Sequence, residues 1–421
     1  MRILQGSAGW VLMMLLCSPV LGGTDDDLLE ILRDNKTLTP EQYEKIKNKQ
    51  EEKARNRYRS KFRFGDEEGD FKLKVGGRLQ VDGAVYDDNR DLGDGTEIRR
   101  ARIELAAILY ERWRVETSYD FAGDKTSVKD AWIGYTGIRS TLIQVGQFKE
   151  PFSLEELTSS RYITFMERAL PNAFAPGRNI GAAVNFHGAN SSFAAGVFGE
   201  GAGAARADGE GYAVTGRATF APVAEVDRVV HFGIAGTHRV PEDQSQSVIF
   251  QSRPESHVTA TNLVSTGTLG KTDSFNVLGL EAAAVFGPLS LQGEYMRTDV
   301  DRKGPGLTDA TFDGGYAFVS WFLTGEIRPY SARRGIFGNV EPRRDFGPGG
   351  PGALELVARF SFLDLNDDPV RGGHEENITA AFNWYFNPRI RLFANYIHVM
   401  TDPVRGDNDS NVYQMRLQAF F

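Results

Sequence analysis

At 421 residues, 41% hydrophobic and 25% charged, the chain can bury a large core and is not a disordered segment. Its formal net charge of −8 argues against nucleic acid as the main partner. Its 46 glycines and 11% aromatics suit many strands and turns better than helices.

The first segment, residues 1–23, carries the apolar run GWVLMMLLCSPVLGG behind Arg2. It predicts a secretory signal peptide cut near Gly22–Gly23, too short for a membrane anchor. Cys17 is the only cysteine, so the exported chain is expected to lack disulfides. No later stretch is long and apolar enough for a membrane helix.

Residues 24–69 differ from the rest and predict a periplasmic helical and linker segment. Thr39 is a candidate N-cap, Pro40 takes the first helical position and Gln42 completes a capping box, giving a helix over about 40–58. Its apolar seam of Tyr43, Ile46 and Ala54 is thin. A solvated helix and a short subunit-assembling coiled coil both fit it.

From Phe71 onward the period is two. In FKLKVGGRLQVDGAV, Phe71, Leu73, Val75, Leu79, Val81 and Val85 share one face, opposite Lys72, Lys74, Arg78, Gln80 and Asp82. Such segments begin near residues 71, 98, 112, 128, 141, 180, 193, 212, 229, 275, 289, 312, 354, 377, 389 and 411. An even set of roughly ten-residue segments predicts an all-β, 16-stranded antiparallel transmembrane barrel over 70–421. Its apolar faces meet outer-membrane lipid and its polar faces line a lumen. The last segment, NVYQMRLQAFF, is the closing strand and ends on Phe421.

Connections alternate in length, with long loops expected at 150–179, 199–211, 239–274, 299–311, 364–376 and 401–410. The long connection 324–352 falls on the short-turn rim and breaks that pattern.

Most motifs with chemical associations fail on context. GPGGPG (347–352) matches a phosphate-loop pattern in letters, but its prolines and the strand that follows forbid the required helix N-terminus. DLNDDPVRGGHE (364–375) has calcium-loop spacing, with Pro369 where a glycine is needed. The histidines show no metal spacing, and no GxSxG occurs. No enzyme activity, cofactor or metal is expected.

The informative residues are arginines at predicted inward positions: Arg78, Arg100, Arg102, Arg112 and Arg114, with Arg99 adjacent. A charge facing lipid costs about 2–4 kcal/mol at the midplane, so these must line the lumen. There they either favour small anions or pair with Glu104, Glu116 and Asp120 as a structural network. The loop after the fifth strand, 151–179, contributes Glu155, Glu156, Arg161, Arg168 and Arg178 and is expected to fold inward as the constriction.

At KVGGRLQVDG, RRARIEL, TSSRYITFMER, NWYFNPRIRLFANYIHVMTD and MRLQAFF the chain resembles the phosphate-selective porin O and P family, in that family's order. The resemblance implies a 16-stranded outer-membrane barrel, a homotrimer of separate pores, and an inward-folded loop after strand five. It places Arg78, Arg99, Arg100 and Arg168 in the pore and matches Arg253 to one arginine of the fifth long loop. Two departures stand out. Glu156 occupies the place of a lysine at the family's central anion site, and Lys129 replaces an acidic residue at the narrow point.

The function expected is a passive outer-membrane diffusion channel for small anions, with phosphate or polyphosphate as candidates; Glu156 argues against tight phosphate binding. The alternatives are a loop-plugged structural barrel tethered to periplasmic partners by helix 40–58, and a soluble β-sandwich.

Overall fold

The computed structural model describes residues 63–65, 70–87, 92–203, 209–242, 245–402 and 409–421, together with Thr39, Gln42, Tyr43 and Lys45. The expected signal peptide lies outside the described residues, as does most of the expected helix 40–58. At that helix's start the Thr39 amide donates to Gln42 Oε1 (3.0 Å) and the Gln42 amide to Thr39 Oγ1 (3.2 Å), the reciprocal bonds of a capping box.

Sixteen antiparallel strands form the wall. They are β1 (Phe71–Asp87), β2 (Gly95–Leu109), β3 (Trp113–Asp120), β4 (Ser127–Tyr135), β5 (Thr141–Lys149), β6 (Arg178–His187), β7 (Ser191–Phe198) and β8 (Tyr212–Ala224). The second half is β9 (Arg228–Val240), β10 (Thr272–Phe286), β11 (Leu289–Arg302), β12 (Ala310–Phe322), β13 (Ala353–Asp367), β14 (Val370–Asn387), β15 (Ile390–Thr401) and β16 (Ser410–Phe420). Each pairs with the next, and β16 pairs with β1 from Arg78↔Phe420 to Asp87↔Asn411, closing the sheet. Closure excludes the β-sandwich.

The burial pattern is inverted relative to a soluble protein. Outward residues such as Leu79, Ile103, Val145, Phe360 and Leu417 are large, apolar and exposed, whereas inward Gln80, Ser320, Asn383 and Gln418 are buried. Lipid is the solvent that rewards this inversion, because a closed barrel leaves no backbone group unpaired within it.

Strands begin within a few residues of the expected positions, with one large exception. The expected loop 364–376 is a hairpin tip: β13 runs to Asp367, β14 starts at Val370, and Asp364 pairs in register with His374. The extension escapes the period-two reading because its outward residues, Asp364 and Asn366, are polar, as suits strands rising clear of the membrane, while Leu365 and Val370 stay in the inner apolar cluster. The calcium-loop spacing therefore lies along two strands. Among the described residues no three His, Cys, Asp or Glu side chains are grouped to hold a metal.

Short turns and both barrel ends share one rim, the periplasmic one by outer-membrane convention. Three connections fill part of the lumen: 150–177 and 241–271 from the opposite rim, and 323–352 from the short-turn rim. Phe152, Leu170 and Phe174 of the first meet Phe250, Val264 and Leu269 of the second in an apolar cluster against β10–β14. From below, Phe337 packs near Leu154 beside Val229 and Val285. The anomalous long connection is thus an inward wedge.

Candidate pore site

Two β-bulges build the charged wall. Gln80 pairs with Arg100 and Val81 with Ile98, so Arg99 is left without a partner across the ladder. Ser118 pairs with Asp130 and Tyr119 with Val128, which leaves out Lys129. An extra residue resets the alternation, so two consecutive side chains can share a face. Arg99 Nε donates to Glu167 Oε1 (2.8 Å), and Arg100 Nη1 donates to Gln80 Oε1 (2.7 Å), both inside the barrel. Ile98 keeps its outward place, more than half exposed. A strict alternation misplaces Arg99; the doubled charge in RRAR and in VKDA was the signal available.

The inward arginines are extensively paired. Arg78 bonds Glu104, and Arg161 Nη2 donates to the same carboxylate at 2.8 Å. Arg102 Nε donates to Asp120 Oδ2 at 2.7 Å. Arg178, expected in the loop, is instead the first residue of β6 and donates through Nε to Asp130 Oδ1 at 2.9 Å. Of the three acids expected to balance the arginines, Glu104 and Asp120 do so; Glu116 makes no ion pair among the described residues. Lys129 likewise makes none, although Arg102, Asp120, Arg178 and Arg100 surround it. Arg112 belongs to the exposed turn before β3 rather than to the lumen, and Arg114 is exposed near the same rim.

The loop 150–177 is held along its length. Glu294 of β11 accepts the amides of Leu154 (3.0 Å) and Glu155 (2.7 Å), capping the short helix Leu154–Leu157. Glu155 accepts the Ala169 amide, closing the loop on itself. Wall side chains then donate to successive loop carbonyls: Gln80 to Ser160, Gln418 to Arg161, Arg391 to Ile163 and Thr164, Arg416 to Met166, and Arg359 to Glu167.

Glu156 is neutralised in place. Lys149 Nζ lies 3.0 Å from Oε1 and Arg168 Nε 3.1 Å from Oε2. Burial alone would raise its pKa, but these two cations outweigh it and hold the carboxyl at about 2. Arg168 also donates to the carbonyls of Glu155, Glu156 and Thr158, so it braces the loop. Glu167 is a hub that sequence reasoning missed. It meets Arg99, Arg100 and Arg416, and these hold it well below the ordinary carboxylate range despite burial. Arg253 sits in the loop 241–271 and donates to the His257 carbonyl at 3.0 Å, bracing that loop's own turn.

A family model described as phosphate-selective porin O and P matches residues 73–421. The chain belongs to that family. A similar sequence is Porin O of Pseudomonas aeruginosa, 29% identical over 401 residues, covering 84% of this chain and 89% of that one. An uncharacterised protein of Caulobacter vibrioides is 31% identical over 366 residues, covering 82% and 72%. Among solved structures, OmpT of Vibrio cholerae superimposes with a TM-score of 0.54 at 9% identity, covering 83% of this chain and 98% of that one. The anion-selective porin from Comamonas acidovorans gives 0.51 at 12% identity, covering 83% and 100%. Family and fold together make the chain a porin of the bacterial outer membrane.

Proposed function

We propose that the protein is a passive diffusion channel for small anions, chloride and small organic anions among them, and not an enzyme. The observation that carries this is the cationic surface formed by β2–β6 and the loop 150–177. Arg99, Arg100, Arg102, Lys129, Arg168 and Arg178 approach one stretch of lumen, and Lys129 has no carboxylate partner among the described residues. A net positive passage flanked by low-dielectric walls draws anions. The family's description and the Comamonas relative's name agree with anion preference. Phosphate and polyphosphate are candidate solutes, without tight phosphate binding, because Glu156 occupies Lys149 and Arg168 that would otherwise face a solute.

Residues 1–23 then serve as signal peptide, 24–69 as a periplasmic segment and 70–421 as the barrel. A homotrimer of separate pores fits the trimeric form recorded for OmpT. Reversal potentials in a salt gradient test the proposal. Anion preference that falls in Lys129→Glu supports it, and a wild-type channel without anion preference overturns it. The three lumen-filling segments favour one alternative, a plugged scaffold, which would show no single-channel current at all.

A further inference from the structure

Glu104, Asp120 and Asp130 are each engaged by arginine in the lumen wall of β2–β4. Apart from Arg114, exposed near the rim, two ionisable side chains there remain without an ion pair among the described residues, one basic and one acidic. Lys129 lies in the bulge of β4, beside Arg102 and Arg178. Glu116 lies on β3, two residues nearer the periplasmic rim than Ser118, the register partner of Asp130. At ~3.4 Å per residue it stands roughly 7 Å along the strand from the level of Asp130, and the bulged Lys129 follows just beyond that pair. The charges nearest to it are Asp130, Glu104, Arg161 and Arg178.

We propose that Lys129 and Glu116 form a bipolar subsite that selects small phosphonates or phosphate monoesters bearing an amino group over those without one. The inference rests on the anion-channel proposal and names a substrate class for the same passage. An anionic head meets Lys129 backed by Arg102 and Arg178, both of which already hold carboxylates. Lys129 can therefore turn wholly to the solute. A solute that is only anionic then passes Glu116 under repulsion. An ammonium group two carbons from the head turns that repulsion into a charge-assisted hydrogen bond. Unpaired charges kept within a sheltered wall are costly, and a passing solute of matching polarity is what both can pair with.

The test uses the full-length protein in planar bilayers, where only folded barrels give openings. Block of the chloride current is titrated at pH 8, where the Glu116 carboxyl is ionised, with 2-aminoethylphosphonate and with ethylphosphonate. The amino compound should half-block at a roughly tenfold lower concentration, the factor expected for one charge-assisted bond. Glu116→Gln should remove that advantage, and Lys129→Gln should weaken block by both compounds. Equal block of wild type by the two probes overturns the subsite, as does an advantage that survives in Glu116→Gln. A salt-gradient reversal potential on the same channels separates the two proposals. An unselective channel defeats the anion proposal, while the ratio between the probes still reads the subsite.

Discussion

Arg416 and Asp82 stand opposite each other across the seam where β16 meets β1, joined by hydrogen bonds of 2.7 and 2.6 Å. Both are essentially buried, and the same guanidinium reaches Glu167 at 2.7 Å. Barrel closure and loop position therefore share one side chain. Removing one member of a buried pair leaves an uncompensated charge, a loss of about 3–5 kcal/mol. Arg416→Ala should lower the urea midpoint of the purified barrel, while the apolar double variant Arg416→Met, Asp82→Leu should recover part of the loss. An unchanged midpoint in the single variant would refute this account of the seam.

The chain terminus extends the same seam. The Phe421 amide donates to Gly77 O at 3.1 Å, and the Gly77 amide donates to Phe421 O at 3.3 Å. A Cβ on Gly77 would stand 2.8 Å from the Phe421 ring. Deleting Phe421 and substituting Gly77→Val should each reduce the heat-modifiable barrel in outer membranes. Normal levels of both would show that the terminal ring has no part in assembly.

The wedge 323–352 is anchored by Arg328, which is buried against Glu355 and donates to Thr164 Oγ1 at 2.7 Å. It thus ties the wedge to the loop 150–177. Arg328→Ala, or replacement of 326–345 by a short turn, should raise single-channel conductance by widening the lumen. Unchanged conductance in both would place the wedge outside the current path.

Glu156 gives a pH dependence with a definite sign. Its pKa falls from 4.5 to about 2 in the folded protein. A depressed carboxyl pKa contributes stability that is complete above the unfolded value and is lost as pH falls through the folded one. The loop should therefore hold at pH 5 and loosen between about pH 4.5 and 2, and Glu156→Gln should lack that transition. Protease cleavage within 150–177 across this range is the measurement. A wild-type profile identical to that of the variant would count against it.

The wall was legible because lipid imposes one requirement on every stave, an apolar face of period two. Leu79, Phe360 and Leu417 announce their direction without knowledge of any neighbour. The lumen carries no such requirement. Whether Arg102 meets a solute or Asp120 depends on register, and whether Glu156 is a bare charge depends on Lys149 and Arg168. The wedge is harder still: the residues that make Arg328 welcome inside, Glu355 and Thr164, lie in remote parts of the chain. The inward direction of Arg78, Arg100 and Arg102 follows from the alternation, and Arg99 and Lys129 were within reach as charges that break it.

The side-chain donors fixed on successive carbonyls of 160–167 have an electrical consequence. A lumen loop whose backbone is tied at most residues of this stretch should not breathe on the timescale of ion passage. If the loop bounds the current path, the passage beside it should keep a constant cross-section, and hence a constant resistance, while the channel is open. The open-state current should then be quiet, with a nearly flat power spectrum. Arg391→Ala, which releases the Ile163 carbonyl and leaves that of Thr164 to Asn383 alone, should add low-frequency flicker without a matching change in mean conductance.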